Sequence, residues 1–274
     1  MKLSLCNEVI RELSFQRQCV LAAGLGYRGL EVAPFTLGDD AWRMPASRRV
    51  EIRGACADAG IAVSGLHWLL AAPAGLSITT ADRAVWQRSV DVLRHSVELC
   101  ADLGGDYLVH GSPAQRRVAG PDDAKRAEEA WRIAASEAGQ AGVIYCLEPL
   151  ARPACNLVNT LAEAADVVKR NGNPAFGIMI DTLAAALEEQ EPVAEVIRRW
   201  MPTGLVAHVQ FNDRSKRGPG QGEDRFGPVV LALRETGYAG WIAMEPFVYE
   251  PDGPTCAARM IGYVAGLLEQ DERR

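Results

Sequence analysis

What this 274-residue chain lacks narrows its function before any motif is read. Basic charge is not in excess: 35 acids against 29 lysines and arginines give a formal charge of −6. The two signs alternate along the chain, so there is no electrostatic footprint for nucleic acid. CxxC spacing is absent, and the cysteines are odd in number, at Cys6, Cys19, Cys56, Cys100, Cys146, Cys155 and Cys256. Most stand in apolar segments, which fits reduced buried thiols and not a disulfide framework. One long uncharged stretch, Ile61 to Ile78, is broken by His67, Pro73 and two glycines, a poor membrane span. The opening MKLSLCNEVIREL meets Asn and Glu too early for a secretory core, so a cytoplasmic location is expected.

What is present is alternation. Short β-rich apolar runs occur at Leu3–Cys6, Gly29–Ala33, Ala62–His67, Tyr107–His110, Val143–Glu148, Gly177–Asp181, Val206–Phe211 and Ile242–Glu245. Several are continuously apolar, as strands covered on both faces are. Helical patterns fill the intervals at 14–24, 45–59, 81–103, 122–141, 160–171, 184–200, 227–237 and 254–269. Ser14, Ser47, Thr80 and Thr160 stand where N-caps belong, and Gly24, Gly60, Gly104, Gly142 and Gly237 follow expected C-termini. Eight strand–helix units over residues 1–274 predict a single (β/α)8 TIM barrel domain. An open doubly wound sheet fits less well, since no glycine-rich phosphate signature follows the first strand. The longer loops follow strands and gather at the C-terminal mouth, where barrel enzymes keep their chemistry.

The informative residues close these strands. Two apolar runs end in Glu-Pro, at Glu148-Pro149 and Glu245-Pro246, and proline keeps each glutamate extended. Between them lie Asp181 and His208, so the last four strands present Glu, Asp, His and Glu in order. Three carboxylates and an imidazole at one point repel unless a cation joins them. An oxygen-rich set with one nitrogen suits Mn2+, Mg2+ or Co2+. Glu31, His67 and His110 end earlier strands and are candidates to line a polyol pocket or orient ligands. Trp68 and Phe247 lie near the same mouth, as do Phe35 and Phe211, while His95 is read as structural. The glycine-rich loop after His208 carries Arg214, Lys216 and Arg217, and suits an anionic or polyhydroxy substrate.

At this point the sequence resembles the xylose-isomerase-like barrels, and within them the ketose 3-epimerases of the tagatose and psicose type. The motifs are GLEVAP (29–34), GLHWLL (65–70), VHGSP (109–113), CLEPL (146–150), IDT (180–182), HVQFNDR (208–214), GPGQG (218–222) and GYAGWIAMEPF (237–247). The resemblance implies that Glu148, Asp181, His208 and Glu245 bind one divalent metal, Mn2+ foremost, and that Glu148 and Glu245 are also the acid/base pair. It implies that Arg214 contacts sugar hydroxyls, with a homodimer or homotetramer as the usual assembly. Three positions depart from the family pattern: Ala184 and Ala154 replace a substrate-binding histidine and glutamate, and Phe211 replaces an acid. The expected activity is a metal-dependent epimerisation of a ketose or keto-sugar at C3. Alternatives are a keto-inositol or aldose–ketose isomerase, a dehydratase or lyase on the same site, or a non-catalytic sugar-binding barrel. Neither nucleic acid nor membrane is expected as a partner.

Overall fold

Apolar runs of four to six residues cannot bury both faces alone, and the amphipathic segments between them have one face to cover. The computed structural model, which describes residues 1–271 except Asp39 and Pro153 and omits the side chains of Gln270 and Asp271, satisfies both needs with a closed barrel. Its strands are β1 (Lys2–Cys6), β2 (Gly29–Val32), β3 (Ala62–Leu66), β4 (Tyr107–His110), β5 (Ile144–Leu147), β6 (Phe176–Asp181), β7 (Val206–Phe211) and β8 (Trp241–Met244). They pair in parallel in chain order, and β8 closes on β1 through Leu5↔Met244 and its neighbours.

The helices are α1 (Phe15–Leu25), α2 (Ala46–Ala59), α3 (Arg83–Leu103), α4 (Asp123–Ala141), α5 (Leu161–Asn171), α6 (Thr182–Glu188), α7 (Val193–Trp200), α8 (Gly227–Glu235) and α9 (Gly253–Asp271). They form the outer layer, and the main core lies between them and the sheet. Inside the barrel a smaller cluster of Tyr107, Val109, Cys146, Met179 and Trp241 fills the lumen below the mouth. All seven cysteines are free and buried. Among the described residues, no helix is long and apolar enough to cross a membrane.

The expected punctuation holds at some ends and moves at others. Thr160 caps α5 in a full capping box with Glu163, and Gly60, Gly104 and Gly142 are left-handed C-caps. Helix α3 begins at Arg83, because Asp82 and not Thr80 accepts the N–H groups of Ala84 and Val85. Ser47 lies inside α2, which is entered through Pro45, and α1 runs past Gly24 to end at Gly26. The single helix expected over 184–200 is two, α6 and α7, since Pro192 supplies no N–H and restrains the residue before it. Helix α6 starts early at Thr182 because the Asp181 carboxylate caps it, accepting from the Ala184 N–H at 2.6 Å.

One glycine holds the barrel wall close to the site. A Cβ on Gly65 of β3 would stand 2.5 Å from the Tyr107 carbonyl oxygen and 2.6 Å from its ring. Since Tyr107 braces Glu31 and His208 inside the barrel, Gly65→Ala should push β3 and β4 apart. A loss of about 1–3 kcal/mol is expected in urea unfolding, the cost of overpacking a filled core. Unchanged stability would show that the wall yields freely.

Candidate active site

Proline after each glutamate and a helix start after Asp181 place three carboxylates at the barrel mouth. The ligand atoms of Glu148, Asp181 and Glu245 lie within 4.8 Å of one another, and all three residues are buried. Each is held by named contacts. Asp181 caps α6 with one oxygen and accepts from Asn212 Nδ2 at 2.7 Å with the other. Glu148 stands over Gly111, where a Cβ would meet its Oε2 at 2.1 Å, so the position tolerates no side chain while the carboxylate stays. The fully buried Arg116 donates to the Glu148 backbone carbonyl at 2.6 Å and sets a positive charge nearby. Glu245 Oε1 lies 3.2 Å from His67 Nδ1.

Burial and mutual repulsion hold protons on this group. Burial, then the charges of Glu245 and Asp181, push Glu148 well above the usual carboxylate range. Burial carries Glu245 up to about 8 against the pull of His67. Asp181 rises to about 6, burial outweighing its hydrogen bonds to Ala184 and Asn212. Three acids so placed are poised to exchange protons for a cation. The donor chemistry therefore fits a divalent metal.

A second charged layer lies beneath. His67 reaches Glu245 with Nδ1 and Glu8 Oε2 with Nε2 at 3.0 Å. Burial opposes a charge on His67, yet Glu8, Glu245 and Glu31 outweigh it and raise its pKa well above the ordinary value. Glu31, fully buried, accepts from the Tyr107 hydroxyl and from Gln210 Nε2, and lies 3.5 Å from His67 Nδ1. Burial would raise the Glu31 carboxyl, but His208, His67 and Tyr107 hold it down at about 2.

A cavity of about 300 Å³ opens above the three carboxylates. His67, Trp68 and Phe247 line it as expected, and Trp68 meets Phe247 edge-on at 6.5 Å. Ser112, Lys216 and the apolar Leu150, Ala151, Ala154, Leu183 and Ala184 complete much of the wall. Trp68, Ser112 and Lys216 all have positive φ, a conformation that non-glycine residues adopt at a cost and that clusters at functional sites.

The other expected site residues stand elsewhere. His208 is not brought to the three carboxylates. Its Nε2 lies 2.8 Å from Glu31 Oε2, off the line of a ring N–H bond, and its ring stacks on Tyr107 at 3.9 Å. Glu31 lies below the cavity floor. His110 is turned into the wall, with Nδ1 on the Tyr145 hydroxyl and its ring edge-on to Trp131 at 5.9 Å. Arg214 points outward and pairs with Asp224 at 2.6 Å, while Lys216 of the same loop faces the cavity. Phe211 packs on Phe226 at 5.0 Å, away from the ligand space. His95 is structural as read, bonded to the Asp91 carbonyl in α3.

Several residues of the site carry no signal at sequence level. Arg116 and Glu8 sit in 3-10 turns, and only burial against the barrel reveals them. Asn212 and Gln210 stand in HVQFNDR beside more conspicuous neighbours. Strand alternation marks Gln210, which shares an inward face with His208.

Comparisons with known proteins agree with this architecture. A family model described as a xylose isomerase-like TIM barrel matches residues 19–263. The chain is 24% identical over 203 residues to a probable ketose 3-epimerase of Synechocystis sp., covering 70% of this chain and 68% of that protein. It is 30% identical over 195 residues to an L-ribulose 3-epimerase of Mesorhizobium japonicum, covering 70% of this chain and 63% of that one. The aligned part thus spans about two thirds of these relatives. In three dimensions it superposes on an L-ribulose 3-epimerase with a TM-score of 0.84 at 24% identity, covering 100% of this chain and 96% of the other. A D-psicose 3-epimerase crystallised with D-fructose gives 0.79 at 22% identity, over 98% and 97% of the two chains. At these identities the structural likeness speaks for the fold alone. With the family model matching most of its length, the chain belongs to the xylose isomerase-like TIM barrel family.

Proposed function

We propose that this protein is a divalent-metal-dependent sugar epimerase acting at C3 of a ketose or keto-sugar. The observation that carries the reading is the pair of buried glutamates, Glu148 and Glu245, which follow β5 and β8, three strands apart round the barrel, and both line the cavity. The relatives named as ketose 3-epimerases support it. Glu148, Asp181 and Glu245 are the residues that would hold a Mn2+, Mg2+ or Co2+ ion. Such an ion supplies Lewis-acid stabilisation of negative charge on the substrate oxygens.

The chain's own groups supply the rest. A hydrogen on the carbon beside a ketone is too weakly acidic for a lone carboxylate at neutral pH. Glu148 and Glu245 approach a flattened substrate carbon from opposite sides, so one removes the C3 proton and the other returns it to the opposite face. His67 holds Glu245 in place, and the neighbouring carboxylates favour its charged form. Trp68 and Phe247, in edge-on contact, supply an apolar wall at the mouth against which a substrate would pack.

A second reading is favoured by one feature. Ala151, Ala154, Leu183 and Ala184 form an apolar wall beside the carboxylates, which suits a keto-sugar bearing a less polar substituent. A relative named 3-dehydro-D-guloside 4-epimerase, from Escherichia coli, is 28% identical over 123 residues, 45% of this chain and 46% of that one.

Two outcomes test the proposal. In D2O with Mn2+ and a panel of ketoses, inososes and keto-glycosides, deuterium uptake at C3 with appearance of the C3 epimer is expected by NMR. Glu148→Gln and Glu245→Gln should each slow it about 100-fold or more. Exchange at C1 or C2 would mark an aldose–ketose isomerase, exchange at C4 the second reading, and near-normal turnover of either variant would remove that glutamate from the chemistry.

The second outcome follows from proton linkage. Glu148, Glu245 and His67 all bind a proton more tightly in the fold than in the unfolded chain. Between pH 6.5 and 8 the metal-free fold therefore loses stability as pH rises. A divalent ion competes with the carboxylate protons, so Mn2+ should raise Tm more at pH 8 than at pH 6. Equal shifts at the two pH values would place ion binding away from this cluster.

A further inference from the structure

β7 lies between the strands that lead to Asp181 and Glu245, and the register of the barrel says which of its residues stands level with the carboxylates. Asp181 on β6 pairs with Gln210 on β7, which pairs with Ala243 on β8, yet Asp181 meets Glu245, two residues beyond Ala243. This is the climb of about one residue per strand that an eight-stranded barrel of shear about 8 imposes. The same climb applies from β5 to β7. Leu147 pairs with Ile178, which sets Glu148 level with Met179, and Met179 pairs with His208. Two residues beyond His208 is Gln210. Glu148 and Gln210 therefore share one layer of inward-facing side chains, and His208 lies one layer deeper.

The side chain itself agrees. Gln210 is fully buried, its Nε2 donates to Glu31, and its Oε1 has no hydrogen-bond partner. A carboxylate accepts and cannot donate, so Glu31 fixes which end of the amide is nitrogen and turns the oxygen away from itself. Glu31 is linked to the cluster through His67, which contacts both Glu31 and Glu245. A buried carbonyl oxygen without a partner is costly unless a ligand meets it. His208 also has both ring nitrogens without a hydrogen-bond partner, but its Nε2 lies 2.8 Å from Glu31 Oε2 and its ring stacks on Tyr107, which hold it one layer below the carboxylates.

We infer that Gln210, through its amide oxygen, is the fourth protein ligand of the metal centre, in place of His208, with Glu31 as the residue that positions it. The inference rests on the metal-centre part of the proposed function and specifies its donor set. Three carboxylates and an amide oxygen form an all-oxygen site, which suits Mg2+ and Mn2+ and gives Co2+ little of the gain that an imidazole nitrogen offers.

Mn2+ binding followed by electron paramagnetic resonance tests this without reference to turnover. Wild-type protein loaded with one equivalent of Mn2+ should lack the echo-envelope modulation of a coordinated imidazole nitrogen, and Gln210→His should acquire it. By calorimetry, Gln210→Ala should weaken Mn2+ binding about tenfold or more, and Gln210→His should raise the ratio of Co2+ to Mn2+ affinity. Imidazole modulation in the wild-type spectrum, or its absence from a folded, Mn2+-loaded Gln210→His protein, would overturn the assignment. Should Gln210→Ala fail to fold, the wild-type spectrum still decides. A wild-type protein that binds no Mn2+, Mg2+ or Co2+ would instead remove the metal centre itself, and with it both readings.

Discussion

Three carboxylates within 4.8 Å of one another, all largely buried at the floor of the mouth cavity, are the constraint on which this site depends. Each negative charge raises the proton affinity of the others, and burial adds to the effect. The fold answers with fixed dipoles and positive groups at the margins: the α6 N-terminus on Asp181, Arg116 behind Glu148, and His67 beside Glu245. None of these neutralises the centre, so the group keeps a raised affinity for protons.

The arrangement also explains why the layer beneath is so heavily charged. His67 bridges Glu8, Glu31 and Glu245, so its imidazolium links two acidic layers that would otherwise repel. Glu31 in turn gathers His208, Tyr107 and Gln210. Conserving geometry here is a matter of mutual dependence, because removing any one partner strands a buried charge. The glycines at 65 and 111 belong to the same network, since each gives the space that Tyr107 or Glu148 occupies.

The loop after β7 shows how the fold, and not the local sequence, decides which of a motif's side chains reaches the cavity. Asp213 accepts from the N–H groups of Ser215 and Asp224 and packs over Gly222, where a Cβ would meet its carboxylate at 2.1 Å. Gly218 and Gly220 leave room for Met260 and Tyr263 of α9. The glycines thus pin the loop to the C-terminal helix, and the resulting path turns Arg214 to solvent and Lys216 to the cavity. Of the three basic residues that the loop offers, Lys216 reaches the mouth, two positions from the one that the resemblance picked out.

The sequence by itself determined the barrel and the acids at its mouth. Eight apolar runs of strand length, each followed by a helical period, admit one closed parallel sheet, and two Glu-Pro endings and one Asp-Thr fix where carboxylates leave it. Those signals are local, carried by neighbouring residues along the chain. Only the tertiary structure decided which inward-facing residue of β7 stands level with Glu148, and that Arg116 and Glu8 serve the site from short turns. His208 and Gln210 lie on the same face of one strand and differ by a single layer. Layer height depends on the tilt and stagger of all eight strands together, a property of barrel closure that no stretch of sequence contains.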